Sequence, residues 1–206
     1  AQLMFEKSIK IFPKDISSHN NLSGILKELG KYNEAEAILN KCLEIDQYNS
    51  TTLNNLGNIL IFQGKLIRAE LVLKQALSIN RNDQTAYLNL GTVMWLSGKI
   101  KESIKYTLKS IEIKSDNPTA YCNLGNLFRI SGNYSKAISN FKKGLDLNKN
   151  SSSAKCGLLK SRGIICDWDD NDVGAKWINE LGFKGEPVDP YLFLLYDDNP
   201  VNNFKR

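Results

Sequence analysis

A leucine followed by a small residue returns every 34 residues, at Leu22-Ser23, Leu56-Gly57, Leu90-Gly91 and Leu124-Gly125. Gly30, Gly64, Gly98 and Gly132 keep the same step, as do Ala1, Ala35, Ala69, Ser103 and Ala137, and then Ser8, Cys42, Ala76, Ser110 and Gly144. A period of this length excludes one closed core. It demands a stack of similar units, each burying its apolar face against its neighbours. Each unit predicts two amphipathic helices, for example 119–130 and 134–147, around a turn at Ser131-Gly132-Asn133. The turn glycine supplies the left-handed residue that ends the first helix, and the small columns let paired helices approach closely. Large residues at helical spacing (Leu22, Leu56, Leu90, Leu124, Tyr87, Tyr121) fill the space between units.

In period, helix–turn–helix layout and column chemistry, residues 1–151 resemble the tetratricopeptide repeat. The usual proline at the end of the unit survives only as Pro13, with Gln47, Arg81, Ser115 and Lys149 in its place. The resemblance implies an all-α fold, a right-handed superhelical array with a helical cap and an irregular C-terminal tail. Full repeats fall at 16–49, 50–83, 84–117 and 118–151. Residues 1–15 match only a second helix, so the natural protein is expected to extend further toward the N-terminus. Residues 152–206 form the remaining segment, a capping helix at 152–165 and a junction toward a further domain.

Composition narrows the function. The 206 residues carry 27 Lys and Arg against 22 Asp and Glu. The cations scatter among acids over the second helices, which fits a solvated surface better than a nucleic-acid site. No apolar run approaches the ~18 residues of a membrane span, and no secretory leader opens the chain. Cys42, Cys122, Cys156 and Cys166 show no metal-ligand spacing, which points to a reducing, cytosolic setting. The single histidine, His19, occupies the column of Leu53, Tyr87 and Tyr121 and is expected to pack. No nucleophile–base pair, phosphate loop, cofactor site or metal set is visible, so the chain is expected to bind and not to catalyse.

The first helices of such arrays line the inner face, and one column there carries amides: Asn21, Asn55, Asn89 and Asn123. A primary amide offers two donors and an acceptor, so a ladder of them can hold the backbone of an extended polypeptide regardless of its side chains. Asn58, Thr92 and Asn126 lie one turn further along the same face, after a hydroxyl column at Ser17, Thr51, Thr85 and Thr119. Trp95 and Phe62 are candidate apolar anchors on the rim. Such asparagines also serve to satisfy neighbouring units; four-fold register on the inner face favours binding. The parallel column Asn20, Asn54, Leu88, Cys122 has no cation, and Lys27 and Arg129 stand alone, which argues against a clamp for the carboxylate tails of chaperones. Self-association stays open.

In the tail, Cys166-Asp167-Trp168 precedes a predicted helix at 173–181, then Pro187-Val188-Asp189-Pro190-Tyr191 and Asp197-Asp198-Asn199-Pro200. Asp167, Asp169 and Asn171 match odd positions of a calcium loop, but Asp172 and Ile178 stand where Gly and Glu are required. Capping of the following helix explains the acids without metal. The tail motifs are similar to the junction in the O-linked N-acetylglucosamine transferase/SPINDLY family, bacterial members above all. There, repeats run into a glycosyltransferase domain and an inner asparagine ladder holds acceptor polypeptides. The resemblance implies an acceptor-recruiting role for Asn21, Asn55, Asn89 and Asn123, with the transfer chemistry located beyond Arg206. Rival readings are a free-standing assembly scaffold and a repeat region fused to another enzyme, such as an oxygenase or sulfotransferase.

Overall fold

The computed structural model describes residues 2–167. These residues form ten α-helices and no strand: α1 (Gln2–Ile11), α2 (Ile16–Glu28), α3 (Tyr32–Ile45), α4 (Ser50–Phe62), α5 (Leu66–Ile79), α6 (Gln84–Leu96), α7 (Ile100–Ile113), α8 (Pro118–Ile130), α9 (Tyr134–Leu147) and α10 (Ser152–Ile164). The all-α helical-repeat architecture expected from the period is the observed one. Even-numbered helices are the first of each repeat and odd-numbered helices the second.

Both ends of each first helix are set by residues that recur on the 34-residue step. At the start, Asp15, Asn49, Asp83, Asn117 and Ser151 each accept an N–H of the first turn through the side chain. Those groups would otherwise lack partners. At the end, Gly30, Gly64, Gly98 and Gly132 adopt φ of +73°, +72°, +74° and +75°. The residue after each donates back five positions, as Lys31 N–H to Leu26 O at 2.8 Å and Asn133 N–H to Phe128 O at 2.8 Å, closing a Schellman turn. Where the unit-ending proline is missing, asparagine and aspartate hold the connection. Asp46, Asn80 and Asn148 accept the N–H two residues on, at 3.1, 3.2 and 3.1 Å, an Asx turn that restricts the loop as proline would.

The same step reaches past Ser151. Helix α10 starts 34 residues after α8, and Cys166 stands in the turn-glycine column with φ 54°. Its turn repeats the Schellman pattern: Asp167 N–H donates to Arg162 O at 3.0 Å and Cys166 N–H to Gly163 O at 3.3 Å. Arg162 Nε and Asp167 Oδ2, 3.3 Å apart, span it as an ion pair. The capping helix expected at 152–165 is thus a first helix complete with its turn.

The chain divides into two compact units, residues 1–113 and residues 114 onward. In the first, Leu22, Leu26, Leu39, Leu56, Ile59, Leu60, Leu73, Leu90, Val93 and Met94 form one core with Ala35, Ala69 and Ala86. A Cβ placed on Gly57 would meet Leu73 Cγ at 2.5 Å, and one on Gly91 would meet Thr107 Oγ1 at 2.9 Å. In the second unit the core is Cys122, Ala137, Phe141, Ala154 and Leu158. Phe141 is fully buried, and its ring touches two glycines of different helices. A Cβ would come within 2.8 Å of it on Gly125 and within 2.3 Å on Gly157. Burying a phenylalanine contributes about 1.5–3 kcal/mol, so this ring dominates a small core.

Candidate functional site

The amides singled out in the sequence lie along the first helices, and the first unit joins several of them directly. Asn55 Nδ2 donates to Asn20 Oδ1 at 3.0 Å, and Asn89 Nδ2 to Asn54 Oδ1 at 2.9 Å. Asn58 Nδ2 reaches Asn89 Oδ1 at 3.4 Å, and Asn20 Nδ2 reaches Thr52 Oγ1 at 2.9 Å. Thr52 Oγ1 in turn donates to the capping Asn49 Oδ1 at 3.0 Å. Helices α2, α4 and α6 are therefore stitched side by side through their amides. Asn20 and Asn54, dismissed in the sequence as a column without cations, are the acceptors. The detectable signal was a 35-residue step between two amides, Asn20 to Asn55 and Asn54 to Asn89.

The remaining amides make no such bonds. Asn21 is exposed, Asn123 and Asn126 are half-buried, and none of the three has a side-chain hydrogen bond among the described residues. The 35-residue step back from Asn123 falls on Leu88, which carries no amide. At the next position of the Asn column stands Gly157, whose missing side chain admits the Phe141 ring. Asn55 and Asn89 each keep one unused N–H, since each donates a single bond. Thr92 directs its hydroxyl to its own helix, at Leu88 O, 3.1 Å.

The two anchors differ. Trp95 is 45% exposed with no ring partner among the described residues. Phe62 stacks on Tyr32 at 5.5 Å between centroids, with Lys27 Nζ 5.8 Å from its ring. Phe62 is thus tied to the preceding repeat. His19 is buried, with Nδ1 2.7 Å from Asp15 O, which places it in packing. Burial pushes the Cys42 thiol up to about 11, so it stays protonated and behaves as a small apolar group.

In the first unit Glu36, nearly buried, accepts from Lys65 Nζ at 2.8 Å and Arg68 Nη1 at 2.9 Å, linking the repeat of α3 to that of α5. The Lys65 hydrogen bond foremost, aided by Gln63 and Arg68, holds its carboxyl below the ordinary value of 4.5. In the second unit, residues 114–206 hold 13 Lys or Arg against 11 Asp or Glu. Lys136 and Lys143 lie over the Phe128 and Tyr121 rings, at 5.4 and 5.7 Å. Arg129, half-buried on α8, has no ion pair among the described residues, and its Nε has neither solvent contact nor a hydrogen-bond partner.

The arrangement offers hydrogen bonds and charge; among the described residues no group of three His, Cys, Asp or Glu is placed to hold a metal ion. No described helix is long and apolar enough to cross a membrane. The predicted helix at 173–181, the proline-rich and Asp-Asp-x-Pro motifs, and the acids from Asp169 onward lie outside the described residues.

With this geometry in place, the family can be stated. Tetratricopeptide repeat models match residues 14–82, 84–117 and 118–151. The chain is a tetratricopeptide repeat protein. No curated protein matches the sequence. Among solved structures, pilF of Pseudomonas aeruginosa is similar with a TM-score of 0.75 and 18% identity, over 94% of this chain and 85% of that one. YrrB, a tetratricopeptide repeat protein with an unusual peptide-binding site, has a TM-score of 0.61 and 17% identity over 99% and 97% of the two chains. MamA matches at 25% identity and a TM-score of 0.59, over 70% of this chain and 85% of that chain. Repeats of this family form protein–protein interaction modules.

Proposed function

We propose that the chain captures a polypeptide in extended conformation along its first helices, with Asn21, Asn55, Asn89 and Asn123 contacting the bound main chain and Asn58, Asn126, Thr92 and Trp95 beside them. The observation that carries this reading is the set of amides left without protein partners, Asn21, Asn123 and Asn126, in the same columns as the bonded ones. Exposed or half-buried amides offer donors and acceptors to a bound backbone and ignore its side chains. The peptide-binding site of the structurally similar YrrB supports the same use of the fold.

The finer reading is that the polypeptide is an acceptor for a protein O-glycosyltransferase of which this chain is the repeat region. Its support is the resemblance of Cys166-Asp167-Trp168, Pro187–Tyr191 and Asp197–Pro200 to the SPINDLY-like junction. A gene continuing past Arg206 into a domain with no nucleotide-sugar pocket would remove that support.

The first reading is tested with the amides that hold no helix in place. Asn21→Ala combined with Asn123→Ala should weaken capture of a capped polyserine peptide by about fivefold to tenfold, two ordinary hydrogen bonds' worth. The melting temperature should stay put, because neither residue bonds to the protein. Capture unchanged in this double variant would reject the ladder.

A further inference from the structure

We propose that the exposed face of the second helix α7 is a docking groove for an acidic amphipathic helix of a partner protein, separate from the amides of the first helices. An open groove of about 680 Å³ follows this face, with Tyr87, Ile104, Tyr106 and Leu108 as its apolar lining. Tyr87 and Tyr106 stack on each other at 6.3 Å between centroids. Lys101, Lys105 and Lys109 border the groove, and Glu112 completes it. That glutamate is already engaged, 2.9 Å from Lys109 Nζ.

The repeat itself shows how this face departs from its neighbours. In the column of Ile104, α3 and α5 carry Glu36 and Glu70, which meet Lys65 with Arg68, and Lys74. Helix α7 has an aliphatic side chain there, so its lysines meet no acid in that column. The columns of Lys101 and Lys105 hold Asn33 and Ala37 in α3, Ile67 and Leu71 in α5, and Ser135 and Ser139 in α9. Of these four helices, α7 alone carries the cation pair. Lys101 and Lys105 are exposed, and neither has an ion pair among the described residues. The other acid of α7, Glu102, does not line the groove. Two unpaired cations therefore stand beside an apolar floor. They are four residues apart, a step of about 6 Å along the helix axis. A partner helix laid along α7 repeats that step with carboxylates at i and i+4, while large aliphatic residues beside them enter the groove. Burial of those aliphatics supplies most of the binding, and the ion pairs set register and partner choice. A hollow lining suits side chains that protrude into it, whereas a lipid surface needs apolar side chains that protrude from the protein.

The test uses the full chain at low salt and a capped alanine-based helical peptide, read by anisotropy of a neutral dye. The peptide carries two Leu four apart and two Glu four apart beside them. One twin has Gln for Glu, and the other has Ser for Leu. Wild type should bind the parent about fivefold tighter than the Gln twin and about tenfold tighter than the Ser twin. Lys101→Gln with Lys105→Gln should erase the first preference, and Leu108→Ser should reduce the second. Lys41→Gln with Lys142→Gln should change neither. The Ile104 and Leu108 methyl resonances of wild type should move on titration with the parent peptide. Equal binding of the three peptides, binding of none, or unmoved methyl resonances would each overturn the groove. A Glu preference that survives Lys101→Gln with Lys105→Gln, or that vanishes in the Lys41 and Lys142 control, would overturn it too. So would a chain that ignores the peptides yet sediments with phosphatidylserine vesicles through Lys101 and Lys105, which would make the ligand a membrane. Capture of polyserine should be the same in every variant, so failure of the groove leaves the amide ladder standing.

Discussion

Helices α2–α7 and helices α8–α10 follow one 34-residue template, but they hold their first helices by different means. The first unit uses leucines at Leu39 and Leu73 and a polar seam from Asn20 through Asn55, Asn54, Asn89 and Asn58. The second uses one ring, Phe141, pressed between Gly125 and Gly157, and leaves Asn123, Asn126 and Arg129 without side-chain partners. The same amide column is therefore structural glue at Asn55 and Asn89 and open chemistry at Asn21 and Asn123. A repeat family can keep a residue type in register while changing what it touches, because the contact depends on the facing helix.

The sharpest way to break this comparison is at the ring. Phe141→Ala should cost about 3–5 kcal/mol, the usual range for emptying a core aromatic site. Unfolding followed by hydrogen exchange should show the loss in α8–α10 first, with α2–α6 protected to higher denaturant. Uniform loss across all helices would mean the two regions do not differ as described. Next in size, Gly157→Ala forces a Cβ toward the Phe141 ring and should cost about 1–3 kcal/mol by denaturant melt, as overpacking does.

The amide seam gives smaller, paired effects. Asn54→Ala should cost about 1 kcal/mol, because it leaves Asn89 without its acceptor, while Asn126→Ala should change stability by less than about 0.5 kcal/mol. Equal costs would erase the distinction between glue and open chemistry. The Glu36 pair offers a pH version. Since the folded carboxyl has a lowered pKa, Glu36 contributes stability at neutral pH, and that contribution is lost as pH falls through the folded value. Glu36→Gln should melt below wild type at pH 7, and the two curves should converge as pH drops below 4.5. The smallest effect is a gain: Cys166→Gly should raise stability by about 0.5–1 kcal/mol, by relieving a left-handed φ in a residue with a Cβ.

Much of this was legible in the sequence. Four small-residue columns placed the helix pairs, and the turn glycines marked where each first helix stops. The capping column Asp15, Asn49, Asp83, Asn117, Ser151 lay on the same step and was equally readable. The seam was not, because periodicity within a repeat says which face a residue shares, and not which atom of the next helix it meets. Asn20 to Asn55 is a step of 35, one off the repeat, set by how neighbouring first helices are offset. Phe141 was hidden for a related reason. Its column holds Leu39, Leu73 and Thr107, and only contact with Gly157 shows why the bulk is tolerated. Cys166 escaped notice because chemistry suggested a thiol in a tail motif, while the backbone needed a left-handed turn.

The Phe141–Gly157 contact also fixes the order of the units. Leu73 and Thr107 fit a glycine in their own repeat, whereas Phe141 needs a second glycine in the helix that follows. At that column Asn21, Asn55, Asn89 and Asn123 occupy the other first helices. Tandem duplication of 118–151 would set an asparagine against the ring, so this array cannot be lengthened there by simple copying. A gene growing by unequal crossover would meet that barrier at one junction only, and the ring acts as a punctuation mark in an otherwise extensible text.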